Sequence, residues 1–209
     1  MTTYVVLKVF EMLNALIVNN GIFGLEKVFP STDTMACRFV ETGPDFNLDL
    51  AGVDLLIVPN GSDHVAMHRA KQTVRAFLDA GGTLLCFDGW FTDWVPGNRW
   101  IHDNSKATRD IRYAIDVDRH GLFDGVAFDD LQFNHGISGW WACGYIEAAP
   151  GADVLMRDTW GRPMIVLDET TTAGRMLLTA SGPLGEYGTD GELAGLTALY
   201  RNALKWAKS

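Results

Sequence analysis

The feature that most constrains this chain is a pair of short apolar runs separated by a helical stretch, in DLLIVPNGSDHVAMHRAKQTVRAFLDAGGTLLCFDGW, residues 54–90. Leu55-Leu56-Ile57-Val58 and Thr83-Leu84-Leu85-Cys86-Phe87 show no polar alternation, as expected of strands buried on both faces of a parallel sheet. Between them, Ser62 or Asp63 can cap a helix, because a short oxygen side chain accepts from the unpaired N–H groups of a first turn. Val65, Ala66, Val74, Phe77 and Leu78 share one face of that helix, and His68, Arg69, Lys71, Gln72 and Arg75 supply a wet one. Ala80-Gly81-Gly82 stops it. The result is a βαβ unit, whose ligands sit beyond the carboxyl ends of its strands. The chain places Asn60-Gly61-Ser62-Asp63-His64 and Asp88-Gly89-Trp90 there.

The rest of the chain continues an α/β pattern. Tyr4 to Phe10 reads as an opening strand, Glu11 to Phe29 as mostly helical with breaks at Asn19-Asn20-Gly21 and Gly24, and Met35 to Val40 as a strand. Gly89 to Asp110 is aromatic and polar with no clean period, the composition of a functional or covering loop. Strands are predicted at Ile111 to Val117, Gly139 to Ile146, Asp153 to Arg157, Pro163 to Leu167 and Arg175 to Thr179. Asp190 is placed to cap a final amphipathic helix, Gly191 to Lys208, with Leu193, Leu196, Leu199, Tyr200, Ala203, Leu204 and Trp206 on its buried side. No repeat or linker interrupts 1–209, so one domain with a largely parallel sheet is expected.

Bulk properties narrow the function classes. An apolar fraction of 47% with 21% charged residues over 209 residues is that of a globular chain. A net charge of −9 argues against nucleic acid or an anionic membrane as partner. There is no apolar run long enough to span a bilayer, and Met1-Thr2-Thr3-Tyr4 lacks a signal peptide's basic start, so a cytoplasmic location is expected. Cys37, Cys86 and Cys143 are odd in number and set in apolar runs, which predicts buried, reduced thiols.

By VDLLIVPNGSD and FLDAGGTLLCFDG, followed by RHGLFDGVAFDD, PGADVLMRDTWGRPMIVLDE and AGRMLLTASGPL, the chain resembles the class I glutamine amidotransferase-like superfamily. Within it the likeness is to the ThuA-like (trehalose-utilisation) and β-galactosidase-trimerisation-like branches. The resemblance implies a flavodoxin-like three-layer α/β sandwich with a mainly parallel sheet of about five or six strands and a C-terminal β-hairpin extension. It departs from working amidotransferases, whose elbow carries a cysteine. Here the elbow falls on Asp88 or Gly89, and Cys86 lies earlier, inside the strand. No His-Pro-Glu run completes a triad, and His120 precedes Gly121 where the related turn has proline. A Cys-His-Glu glutaminase is therefore not expected.

Asp88 and His135 are the candidate catalytic pair, since a carboxylate beside an imidazole orients the ring and raises its basicity. Asn60, Ser62, Asp63, His64, Trp90 and His102 are the candidate binding residues. His64 and His68, at i and i+4 behind Asp63, have the spacing of metal ligands. The glutamate of H-E-x-x-H is absent, and no metal or other cofactor is expected. Trp90, Trp94, Trp100, Trp140 and Trp141 have the faces that stack on sugars, and equally those that fill cores and interfaces. The reading is a protein that binds or modifies a small polar molecule, a carbohydrate derivative by the ThuA-like resemblance, and that forms a homo-oligomer. The alternative is a non-catalytic dimerisation or docking module using the Trp-rich loop 89–104.

Overall fold

The apolar runs become the centre of a sheet. The computed structural model describes residues 12–19, 21, 24–60, 62–87, 89–127, 143–181 and 194–209. Its strands are β1 (Leu13–Asn19), β2 (Met35–Glu41), β3 (Leu55–Val58), β4 (Thr83–Cys86), β5 (Arg99–His102), β6 (Tyr113–Ile115), β7 (Gly144–Glu147), β8 (Asp153–Asp158), β9 (Pro163–Asp168) and β10 (Arg175–Thr179). Its helices are α1 (Leu25–Val28), α2 (His64–Arg69), α3 (Lys71–Asp79) and α4 (Ala194–Ala207).

Among the described residues, eight strands form one sheet in the order β2-β1-β3-β4-β10-β9-β8-β6. The first five are mutually parallel, in the doubly wound order of flavodoxin-like folds, and β9, β8 and β6 continue antiparallel. Every residue of β3 and β4 is buried, as their unbroken apolar runs require. α4 covers the face presented by Leu85 and Leu177, where Leu199, Tyr200 and Ala203 close over them. The Phe87 and Tyr200 rings meet edge-on at 5.6 Å.

Several expectations are corrected. The predicted opening strand, Tyr4 to Phe10, lies outside the described residues. Leu13–Asn19, read as helical, is instead a central strand between β2 and β3. Its Ala15-Leu16-Ile17-Val18 core is buried on both faces, so the period of two that marks a half-exposed strand is missing. The predicted crossover helix is two, broken at Ala70 (φ −82°, ψ 0°), and Val65 is exposed while Met67 takes its place in the core. The stretch after β4 contains β5, which pairs antiparallel with β7 outside the main sheet. Of the cysteines, Cys86 is fully buried, Cys37 half-buried and Cys143 exposed, so the expectation of three buried thiols is met at Cys86, only partly at Cys37, and fails at Cys143. None is in a disulfide.

Candidate functional site

The carboxyl ends of β3 and β4 give two loops that run side by side. Val58 pairs with Cys86, and the Phe87 N–H donates to the Val58 carbonyl at 2.9 Å. Beyond the strands, the Thr92 hydroxyl donates to the His64 carbonyl at 3.1 Å across 28 residues, the same sequence offset as the strand pairs. The β4 loop is thus tied to the start of α2.

The α2 end of this edge is fixed by Asp63, whose Oδ1 accepts from the Val65 and Ala66 N–H groups at 3.0 and 2.9 Å. The β4 loop is fastened to α2 through Asp93, which takes His68 Nδ1 at 3.0 Å and Lys71 Nζ at 3.4 Å. The Lys71 charge and hydrogen bond hold the Asp93 carboxyl below its ordinary pKa.

This fastening presents Phe91, which is 57% exposed and is the hub of an aromatic rim. His64 meets the Phe91 ring at 5.2 Å, Trp100 meets it edge-on at 4.9 Å, and His102 lies 6.3 Å from it. Trp100 and His102, on one face of β5, are 5.7 Å apart. Trp100 is itself buried, and its Nε1 donates to the Ala180 carbonyl beyond β10 at 3.5 Å. Gly144 leaves room for the Trp100 ring, since a Cβ there would come within 2.8 Å of it.

Of the predicted binding residues, the structure brings His64 and His102 to this rim, with Asn60, Ser62 and Asp63 on the loop leading to it. Trp90 is corrected from a stacking platform to a core residue, 2% exposed. Trp94, left open in the sequence between stacking and packing, is a core residue, 1% exposed. Indoles lose more water contact on burial than any other side chain, so the tryptophans of this loop turn inward and the smaller Phe91 stays on the rim. Phe91 was the residue missed, and only its place in the aromatic loop could have signalled it. Asp88, His135, Trp140 and Trp141 lie outside the described residues. The i, i+4 histidines are used separately, His64 against Phe91 and His68 against Asp93. Among the described residues no three His, Cys, Asp or Glu side chains converge as metal ligands, and no helix is long and apolar enough to cross a membrane.

Cys86 sits inside β4 with no exposed surface, and its Sγ points to the Phe87 carbonyl at 3.4 Å. Thiol titration of the native protein is expected to modify Cys143 quickly and Cys37 slowly, because burial raises the Cys37 pKa against the opposing Ser31 hydrogen bond and Lys208 charge. Cys86 should react only on unfolding, and fast native modification of Cys86 would contradict this packing.

The sequence matches no family model and no curated protein. Solved structures do match its fold. A cytoplasmic protein from Salmonella typhimurium LT2 superposes with a TM-score of 0.61 at 12% identity, covering 94% of this chain and 100% of that one. A glutamine amidotransferase from Thermotoga maritima gives 0.61 at 9% identity, covering 95% and 99%. An exo-β-1,4-mannosidase from Opitutaceae bacterium strain TAV5 gives 0.54 at 13% identity, covering 92% of this chain and 36% of that one. Identities this low establish the fold alone: the chain has a flavodoxin-like, glutamine amidotransferase-type α/β fold.

Proposed function

We propose that the protein binds or modifies a small polar molecule of the carbohydrate class at the carboxyl edge of β3 and β4, with Asp88 and His135 kept as the candidate catalytic pair from the sequence. The observation that carries this reading is the exposed Phe91 ring set between His64 and His102. An aromatic face flanked by groups that can donate and accept is suited to a sugar ring, which offers C–H bonds on its face and hydroxyls at its edge. The likeness to part of a mannosidase supports the carbohydrate class as analogy. Glutamine hydrolysis is not proposed, because the thiol of Cys86 is enclosed within β4.

A docking role for the 89–104 loop would use Phe91, 57% exposed, since Trp90, Trp94 and Trp100 are buried inside the chain. The two readings separate in one experiment. D-glucose, D-galactose and D-mannose are screened for their effect on the melting temperature of the wild type and of Phe91→Ala. At least one sugar is expected to stabilise the wild type by mass action, with affinity about tenfold weaker in Phe91→Ala. No stabilisation by any sugar, together with a change of oligomeric state in Phe91→Ala, would favour docking instead.

A further inference from the structure

The end of the sheet opposite the rim carries a second concavity. A groove of about 700 Å³ runs between α3 and the loop that leads into β3, lined by Leu48, Leu50, Val53, Ala76, Phe77 and Ala80. Leu50 and Phe77 are only half-buried there, and Ala76 and Ala80 are exposed, so an apolar stripe of α3 is left uncovered by the described residues. The chain enters the fold at the same edge. The Asn14 N–H donates to Asp54 Oδ2 at 2.8 Å, the Asp54 N–H to the Asn14 carbonyl at 2.9 Å, and the Thr83 N–H to the Asp54 carbonyl at 3.0 Å. Asp54 and Thr83 directly follow Val53 and Gly82, which both line the groove. Residues 1–11, which lie outside the described residues, therefore join the structure just ahead of Asn14, beside the groove.

We propose that residues 4–10, Tyr4-Val5-Val6-Leu7-Lys8-Val9-Phe10, are the occupant of this groove, an intramolecular strap laid along α3. Side chains alternate in extended backbone, so Val5, Leu7 and Val9 share one wholly apolar face and Tyr4, Val6, Lys8 and Phe10 the other. The first face suits a groove of leucine, valine, alanine and phenylalanine, and seating it leaves Lys8 in water. From Val5 to Val9 an extended chain covers roughly 13 Å, and the α3 stripe from Gln72 to Ala80 about 12 Å, so the lengths match. Lys8 is the one charged residue of the segment and Asp49 the one charged residue of the lining, and their signs are opposite. A separate peptide would lose its translational freedom on reaching the groove, a cost that a segment tethered beside it avoids. The groove lies at the amino ends of β3 and β4 and the rim at their carboxyl ends, so strap and sugar site stand or fall separately.

The test replaces Leu7 by the photo-crosslinker p-benzoylphenylalanine in the full chain and maps the adducts by mass spectrometry after irradiation. Adducts within one chain, on residues 48–53 or 72–82, are expected. Adducts elsewhere in the chain, adducts only between two copies, or none at all would overturn the proposal, the second of these making the groove an interface between copies. Stability gives a readout that needs no probe. Leu7→Asp is expected to lower the melting temperature by about 5 °C, and Val6→Asp, on the outward face, by less than about 2 °C. No fall in Leu7→Asp, or equal falls in the two, would contradict the strap. Ala76→Gln, on the groove side, keeps helix propensity and is expected to lower the melting temperature as Leu7→Asp does, with the double variant no worse than either alone. Fully additive falls would show that the two residues do not meet.

Discussion

Gly174→Ala is expected to lower stability by about 4 kcal/mol, a fall in melting temperature of roughly 8–16 °C for a chain of this size. A Cβ at Gly174 would stand 2.1 Å from the Gly82 carbonyl oxygen and 2.7 Å from that of Leu78. Both are backbone atoms held in place: the Gly174 N–H donates to the Leu78 carbonyl at 2.7 Å and the Arg175 N–H to that of Gly82 at 3.2 Å. These contacts seat the start of β10 on the end of α3 and the start of β4, so the methyl cannot be relieved by a side-chain rotation. The β9–β10 connection must lift away from the sheet. Gly161→Ala is the control. Gly161 has φ +76° but open space around its Cβ position, so only backbone strain of about 1 kcal/mol is expected. Similar urea midpoints for the two variants would contradict the packing described.

The second large effect is at Asp168, whose carboxylate is wholly buried at the end of β9. Its oxygens accept from Asn98 Nδ2 at 2.7 Å, the Thr170 N–H and hydroxyl at 3.0 and 3.1 Å, and the Thr171 N–H and hydroxyl at 3.0 and 2.6 Å. Asn98 in turn accepts the Ala149 N–H at 2.8 Å. Asp168 thus ties the segments flanking β5 and β7, and with them Trp100 and His102, to the main sheet. Asp168→Ala strands these donors and is expected to cost about 3 kcal/mol. Burial alone would raise the Asp168 pKa, but the hydrogen bonds from Thr171, Thr170 and Asn98 outweigh it and hold the carboxyl below its ordinary value. A depressed folded pKa means that this contribution is full above the unfolded value of about 3.9 and is lost as pH falls through the folded value. Asp168→Asn should therefore flatten the acid limb of stability against pH, and a limb unchanged from wild type would contradict the assignment.

How far the sequence could be read follows from where each residue's environment is decided. β3, β4, β8, β9 and β10 were legible because their apolar runs lie between glycines and turns and need no distant partner to be recognised. Leu13–Asn19 was not, because leucine, alanine and asparagine are compatible with a helix and only burial between β2 and β3 makes the segment a strand. β5 escaped notice because its partner, β7, comes more than 40 residues later and nothing local marks the pairing. At the site, the two loops and the place of His64 follow from the βαβ rule, whereas His102 is carried to the rim by β5. The exchange of roles between Trp90 and Phe91 does not, since which ring turns inward depends on core volume contributed from elsewhere in the chain. Asp168 was invisible for the same reason, as its partner Asn98 is 70 residues away.

The central claim is that ligand meets this protein at the rim formed by His64, Phe91 and His102. The chain has five histidines, so their ring carbon–proton NMR signals form a small and assignable set. Titrating the native protein with D-glucose, D-galactose and D-mannose is the most direct measurement. The account predicts that at least one sugar shifts the His64 and His102 signals in a saturable way and leaves His120, which lies near Glu169 at 3.9 Å, unmoved. Saturable shifts at His120 alone, or at none of the histidines, would contradict it.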